Sequence, residues 1–160
     1  MKTILFDKFT TNDFSDYYCL VSDERVMAQI TERAIPEVEA KENYEKLLIR
    51  NQETIDFGSF RVLDNETNEF IGLAHLTPKG NDEAEIGYMF LPKYWRQGYG
   101  KVVVKELLRL AATSDFTVLT AMIDPENTAS KRLLETNGFQ TEFLGVMDEL
   151  STEILKKRLH

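Results

Sequence analysis

The pattern of apolar and polar positions divides the chain into a helical first third, a strand-rich middle and a mixed final third. Residues 3–9 read as a first strand. Asn12 or Asp13 can cap a short helix through Val21, and a second helical stretch is expected over 24–33. Pro36 suits the start of another helix over 37–51, where Ala40, Tyr44, Leu47 and Leu48 recur at helical spacing. Apolar runs over 57–63, 70–76 and 83–91 follow, separated by turn-forming residues, as in an antiparallel meander. Helical periodicity returns over 100–113, with Val103, Val104, Leu107, Leu108 and Ala111 on one side and Lys101, Lys105 and Arg109 on the other. Residues 116–123 read as a buried strand that Pro125 breaks. Asn127 or Thr128 caps a helix to Asn137, Gly138 suits the left-handed position after it, and Phe139 opens another strand. Segment 154–159 is expected at a sheet edge, guarded by Lys156, Lys157 and Arg158. This order predicts one α+β (mixed α/β) domain over 1–160, whose central sheet holds both antiparallel and parallel pairs.

Composition narrows the functional classes. At 160 residues and 42% hydrophobic content the chain can bury a core without metal or disulfide staples, and its single cysteine, Cys19, reads as a packed residue. The longest run without a formal charge, 70–78, is far short of the roughly 18 apolar residues of a membrane span. No secretion signal follows Met1, so a cytoplasmic protein is expected. A net charge of −8 argues against nucleic-acid tracking and favours cationic small molecules or peptides, although a solvated acidic surface accounts for it equally.

The chemistry concentrates in residues 85–101. A strand ends at Pro92, a loop with Gly98 and Gly100 follows, and a helix begins at once. Consecutive backbone N–H groups and the positive helix end there suit a phosphate or pyrophosphate. The nucleotide-hydrolase loop needs a Ser or Thr after GxxxxGK, where Val102 stands after Lys101, and the dinucleotide fingerprint fails at Val103.

Tyr94-Trp95-Arg96-Gln97-Gly98-Tyr99-Gly100, preceded by Glu85-Ile86-Gly87-Tyr88 and followed by the Asp124–Ser130 stretch and Asn137-Gly138-Phe139, resembles the GNAT superfamily of acyl-CoA-dependent N-acyltransferases. The nearest branch by this resemblance holds the ribosomal-protein N-terminal acetyltransferases, where a Trp at the position of Trp95 is common in place of the usual Gln or Arg. The resemblance implies a mixed sheet splayed between the strands ending near Phe90 and Ile123, with acetyl-CoA in the wedge. It implies that the N–H groups of Arg96, Gln97, Gly98, Tyr99, Gly100 and Lys101 hold the pyrophosphate. It places the pantetheine arm and thioester oxygen on the backbone of Met89, Phe90 and Leu91. Asn127 would reach the pantetheine or reacting centre, and Lys131 and Arg132 the adenosine end.

Acetyl transfer needs a neutral amine, donors for the oxyanion and a proton for the thiolate. A lysine-type amine costs about 3–4 kcal/mol more to deprotonate than an α-amino group, at about 1.36 kcal/mol per pKa unit. Glu83 and Glu85 share one strand face; Glu85 matches the family's base and Glu83 reads as a solvated or paired residue. Leu134 occupies the position of the family's usual tyrosine acid, while Ser130 matches a serine used near the thiolate and reads equally as a helix-cap hydroxyl. His75 reads as a packed or surface residue without metal-ligand spacing, and Tyr88 and Tyr99, which could touch substrate or coenzyme, read more readily as core and rim packing. The expected activity is N-acetyl transfer to a protein N-terminus, a polyamine or a small-molecule amine by a monomer or homodimer, in which residues 144–150 form an exposed contact tail. The alternatives are a non-catalytic CoA-binding module and an interaction protein in which the two glycines only shape a turn.

Overall fold

The computed structural model describes residues 2–159. Seven strands form one sheet: β1 (Ile4–Lys8), β2 (Gly58–Asp64), β3 (Phe70–Pro78), β4 (Glu83–Phe90), β5 (Val118–Ile123), β6 (Gln140–Met147) and β7 (Leu150–Arg158). Their spatial order is β1-β2-β3-β4-β5-β7-β6. Every pair is antiparallel except β4 and β5. A parallel pair needs a crossover, and helix α4 (Tyr99–Ala112) supplies it. Helices α1 (Phe14–Val21), α2 (Glu24–Met27) and α3 (Glu37–Glu53) pack a core of Phe9, Tyr17, Leu20, Tyr44 and Leu47 against the face that carries Leu73 and Met89. Helices α4 and α5 (Thr128–Thr136) cover the opposite face, burying Ile71, Ala74, Ile86, Val103, Leu107 and Leu134. The alternation Leu73/Ala74 along β3 sends neighbours to different cores.

Four expectations are corrected. Cys19, expected to be packed, lies exposed on α1. The helix over 24–33 ends at Met27: the N–H groups of Ile30, Thr31 and Glu32 all converge on the Met27 carbonyl, and Glu32 takes φ 66°. The C-terminal strand is not an edge. β7 lies between β5 and β6, and Lys156 faces Glu83 at 3.3 Å, so its charge serves pairing inside the sheet. Residues 144–150 are no tail: β6 and β7 form a hairpin through Asp148 and Glu149, both at positive φ (50° and 68°), the geometry of a two-residue primed turn.

The sheet opens at its centre. β4 and β5 pair from Glu83/Val118 to Ile86/Ala121 and then separate. β4 stays with β3 as far as Phe90, and β5 stays with β7 as far as Ile123. Each half thus keeps an outer partner, leaving a wedge between residues 87–90 and 122–123.

Candidate active site

The wedge gives the strand backbone a free side. The Leu91 N–H donates to the Ile71 carbonyl at 2.9 Å. Antiparallel alternation therefore directs the polar groups of Gly87, Met89 and Leu91 at β3 and those of Tyr88 and Phe90 at the gap. One of these is already used: the Trp95 indole N–H donates to the Phe90 carbonyl at 2.9 Å and folds the following loop back onto β4. Of the three residues assigned to the pantetheine arm, Phe90 alone turns its backbone into the wedge.

The loop then presents its amides. Arg96 and Gly98 adopt left-handed φ of 62° and 89°, and Gly98 is the N-cap of α4. Among the described residues, the N–H groups of 96–101 donate to no carbonyl or side chain; the first N–H of the helix to find an acceptor is Val102, to the Gly98 carbonyl. A Cβ on Gly98 would meet nothing within 4 Å, whereas one on Gly100 would lie 3.2 Å from Leu133 of α5. Gly98 therefore serves backbone conformation, and Gly100 serves the close approach of the two helices.

Two clefts meet at the wedge. One, of about 470 Å³, is lined by Met89, Phe90, Arg96, Gly98, Tyr99, Gly100, Asn127 and Ser130, together with Arg25. The Asn127 side-chain carbonyl accepts the Ser130 N–H at 3.2 Å and caps α5, which leaves the amide NH₂ free to donate. Gln97 turns away, donating to the Lys93 carbonyl at 2.7 Å. Leu91, Lys101, Lys131 and Arg132 do not line this cleft. Lys131 is drawn instead to the buried Glu153 at 3.1 Å. Burial raises the Glu153 pKa, but the Thr141 hydroxyl and the Lys131 ammonium outweigh it and hold the carboxyl below its ordinary range.

The second cleft, of about 350 Å³, opens on the α1–α3 side. Its acidic lining is Glu32, Glu85, Asp124 and Asp148; no Lys or Arg lines it, and Met89, Met122 and Met147 supply apolar wall. Among the described residues the one ion pair of Glu85 is with Lys79, at 3.5 Å. Glu83 is committed elsewhere: the Thr120 hydroxyl donates to it and Lys156 pairs with it, which together lower its pKa.

Two residues that the sequence favours as packing also line the clefts. His75, opposite Gly87 across β3–β4, also lines the acidic cleft. Its ring lies over the glycine, so that a Cβ there would fall 2.3 Å from Nε2, and Nδ1 sits 3.1 Å from the Thr77 hydroxyl. Burial lowers the His75 pKa against the pull of Glu85, leaving a neutral imidazole at pH 7. Tyr88 lines both clefts, and its buried hydroxyl has no hydrogen-bond partner among the described residues. Such a group costs about 1–3 kcal/mol. Tyr99, by contrast, is anchored: its hydroxyl donates to Asp64 at 2.9 Å, and its pKa is pushed up to about 12. The cross-strand glycine opposite a histidine was the one available signal for His75. Tyr88 was marked only by its place in the Glu85–Tyr88 motif, because its environment comes from α5.

Comparison with known proteins places this geometry. Residues 3–140 match the family model described as Acetyltransferase (GNAT) domain. The uncharacterized N-acetyltransferase YoaA of Bacillus subtilis is 28% identical over 141 residues, 86% of this chain and 73% of that protein. The uncharacterized N-acetyltransferase p20 of Bacillus licheniformis is 34% identical over 88 residues; the match covers 53% of this chain and about half, 49%, of that protein. Among solved structures, the spermidine N-acetyltransferase of Vibrio cholerae in complex with CoA and spermine superposes with a TM-score of 0.82 at 17% identity, covering 98% of this chain and 95% of that one. A GNAT-family acetyltransferase from Bacillus anthracis gives 0.77 at 22% identity, covering 98% and 94%.

Proposed function

The chain belongs to the GNAT acetyltransferase family, and from that premise we propose that it transfers the acetyl group of acetyl-CoA to a primary amine by direct attack, with a polyamine as the acceptor class. The observation that carries this reading is the meeting, at Tyr88 and Met89, of a cleft ending in unpaired amides with a cleft lined by carboxylates. The amides of 96–101 suit a pyrophosphate, and the gap-facing backbone of Tyr88 and Phe90 suits the pantetheine arm. Carboxylates interspersed with methionines suit amines joined by methylene chains. The Vibrio cholerae protein, which shares the fold, acts on the same acceptor class. A protein N-terminus or other small amine is the competing acceptor, and the ribosomal-protein branch remains a matter for the same assay.

In this reading Glu85 takes the proton that makes the amine nucleophilic, directly or through water, with neutral His75 beside it. The nitrogen attacks the thioester carbon, and the Phe90 N–H and the Asn127 amide, both on the coenzyme cleft, are the donors this reading assigns to the developing oxyanion. Ser130 lies on the thiolate side. The test is thiol release from acetyl-CoA across spermidine, spermine, lysine and peptides with free N-termini. We expect the largest kcat/KM for polyamines, with KM rising as salt screens the carboxylates. Turnover confined to peptide N-termini would overturn the acceptor class. Tight CoA binding by calorimetry without acetylation of any amine would make the protein a coenzyme-binding module.

A further inference from the structure

Tyr88 is the third residue after Glu85 and projects from the opposite face of β4, toward α5. Its ring stacks on Phe90 with centroids 5.8 Å apart, which fixes the phenol at the junction of the two clefts. Among the described residues its buried hydroxyl has no well-formed hydrogen bond, and the polar group that acts on it is Ser130 in the first turn of α5. One turn further along that helix stands Leu134, fully buried hydrocarbon with no proton to give. A native structure seldom retains an orphaned buried hydroxyl unless something arrives to meet it.

We propose that Tyr88 is the acid of the acetyl transfer, a proton donor on the strand that gives its phenolic proton to the coenzyme sulfur. This inference rests on the acetyl-transfer reading and names the group that completes it. As the carbon–nitrogen bond forms and the carbon–sulfur bond breaks, the bonding pair leaves on sulfur and the phenolic proton joins it. The proton shed by the acylated nitrogen returns to the phenolate through the Ser130 hydroxyl, so, counted from the neutral amine that Glu85 leaves, nitrogen loses one proton and sulfur gains one. Burial raises the Tyr88 pKa, opposed by Ser130, which keeps the phenol protonated at neutral pH. A donor whose one polar neighbour is the Ser130 hydroxyl can turn to a thiolate with little lost in broken contacts.

Tyr88→Phe removes an oxygen whose one polar neighbour is the Ser130 hydroxyl, so the variant is expected to fold with a Tm close to that of the parent. Its kcat with acetyl-CoA should fall about 100-fold or more, the usual scale for loss of an acid, while the CoA Kd stays within about threefold. The selenium analogue of acetyl-CoA releases a selenolate that needs no proton, so it should restore most of the lost rate. Ser130→Ala should cost less, because solvent can replace a relay. A Tyr88→Phe rate within about threefold of the parent, or an equal fall for thioester and selenoester, overturns the assignment and leaves the acetyl-transfer reading standing. A parent protein that acetylates no amine overturns both.

Discussion

Gly87→Ala tests the contact that sets His75 at the mouth of the acidic cleft. The added methyl would stand 2.3 Å from His75 Nε2 and 2.9 Å from its Cδ2, closer than any Cβ contact can persist. The imidazole must rotate away and give up its 3.1 Å approach to Thr77. Overpacking of this kind costs about 1–3 kcal/mol, or a Tm fall of about 2–12 °C for a domain of this size. In a His75→Ala background the obstruction is gone, and alanine in a strand interior should gain roughly 0.5–1 kcal/mol over glycine. The substitution therefore changes sign between the two backgrounds, with a coupling of about 1.5–4 kcal/mol. Urea unfolding of the four proteins measures it. An equal cost with and without the imidazole would refute the packing argument, and with it the placement of His75.

Other substitutions probe the remaining links. Glu85→Gln should leave CoA affinity by calorimetry unchanged and lower kcat by about 10²–10⁴-fold, the scale of a lost base; unchanged turnover would move that role to His75. Trp95→Phe deletes the indole bond to the Phe90 carbonyl, worth about 1 kcal/mol, and should raise the CoA Kd about three- to tenfold without altering acceptor KM at saturating coenzyme. His75 has a folded pKa below 6.5, so the unfolded chain binds the proton first and stability should fall as pH drops through that value. His75→Gln should flatten this slope in urea titrations at pH 5–7.5. Lys131→Met strands the buried Glu153 carboxylate with Thr141 alone and should destabilise by about 1–3 kcal/mol, discounted because Lys131 is 38% exposed. A smaller penalty in Glu153→Gln would check it by double-mutant cycle.

The elements that could be read from sequence are those whose cause is local. The loop before α4 was legible because left-handed glycine, unpaired amides and a helix start lie within six residues, and Asn127 because a cap acts three residues ahead. Glu83 and Glu85 are identical in type and face; what separates them is Thr120 and Lys156, 37 and 73 positions away from Glu83. The same distance effect misplaced β7: its basic residues resemble edge protection, yet Lys156 is the partner of Glu83 and β6 forms the outer strand. His75 and Tyr88 resemble packing residues because their neighbours, Gly87 and α5, come from other elements. The splay itself was legible only through family resemblance, since a strand pair that stops at Ile86/Ala121 leaves no mark in periodicity.

The chain contains one tryptophan, and it is Trp95, held on the strand carbonyl beside the loop amides and 42% exposed. Its intrinsic fluorescence is therefore a label-free reporter of one event alone. Coenzyme docking should change the emission maximum and quantum yield, while occupation of the acidic side, with no indole nearby, stays optically silent. A stopped-flow trace on the unmodified protein can thus give the order in which the two substrates arrive.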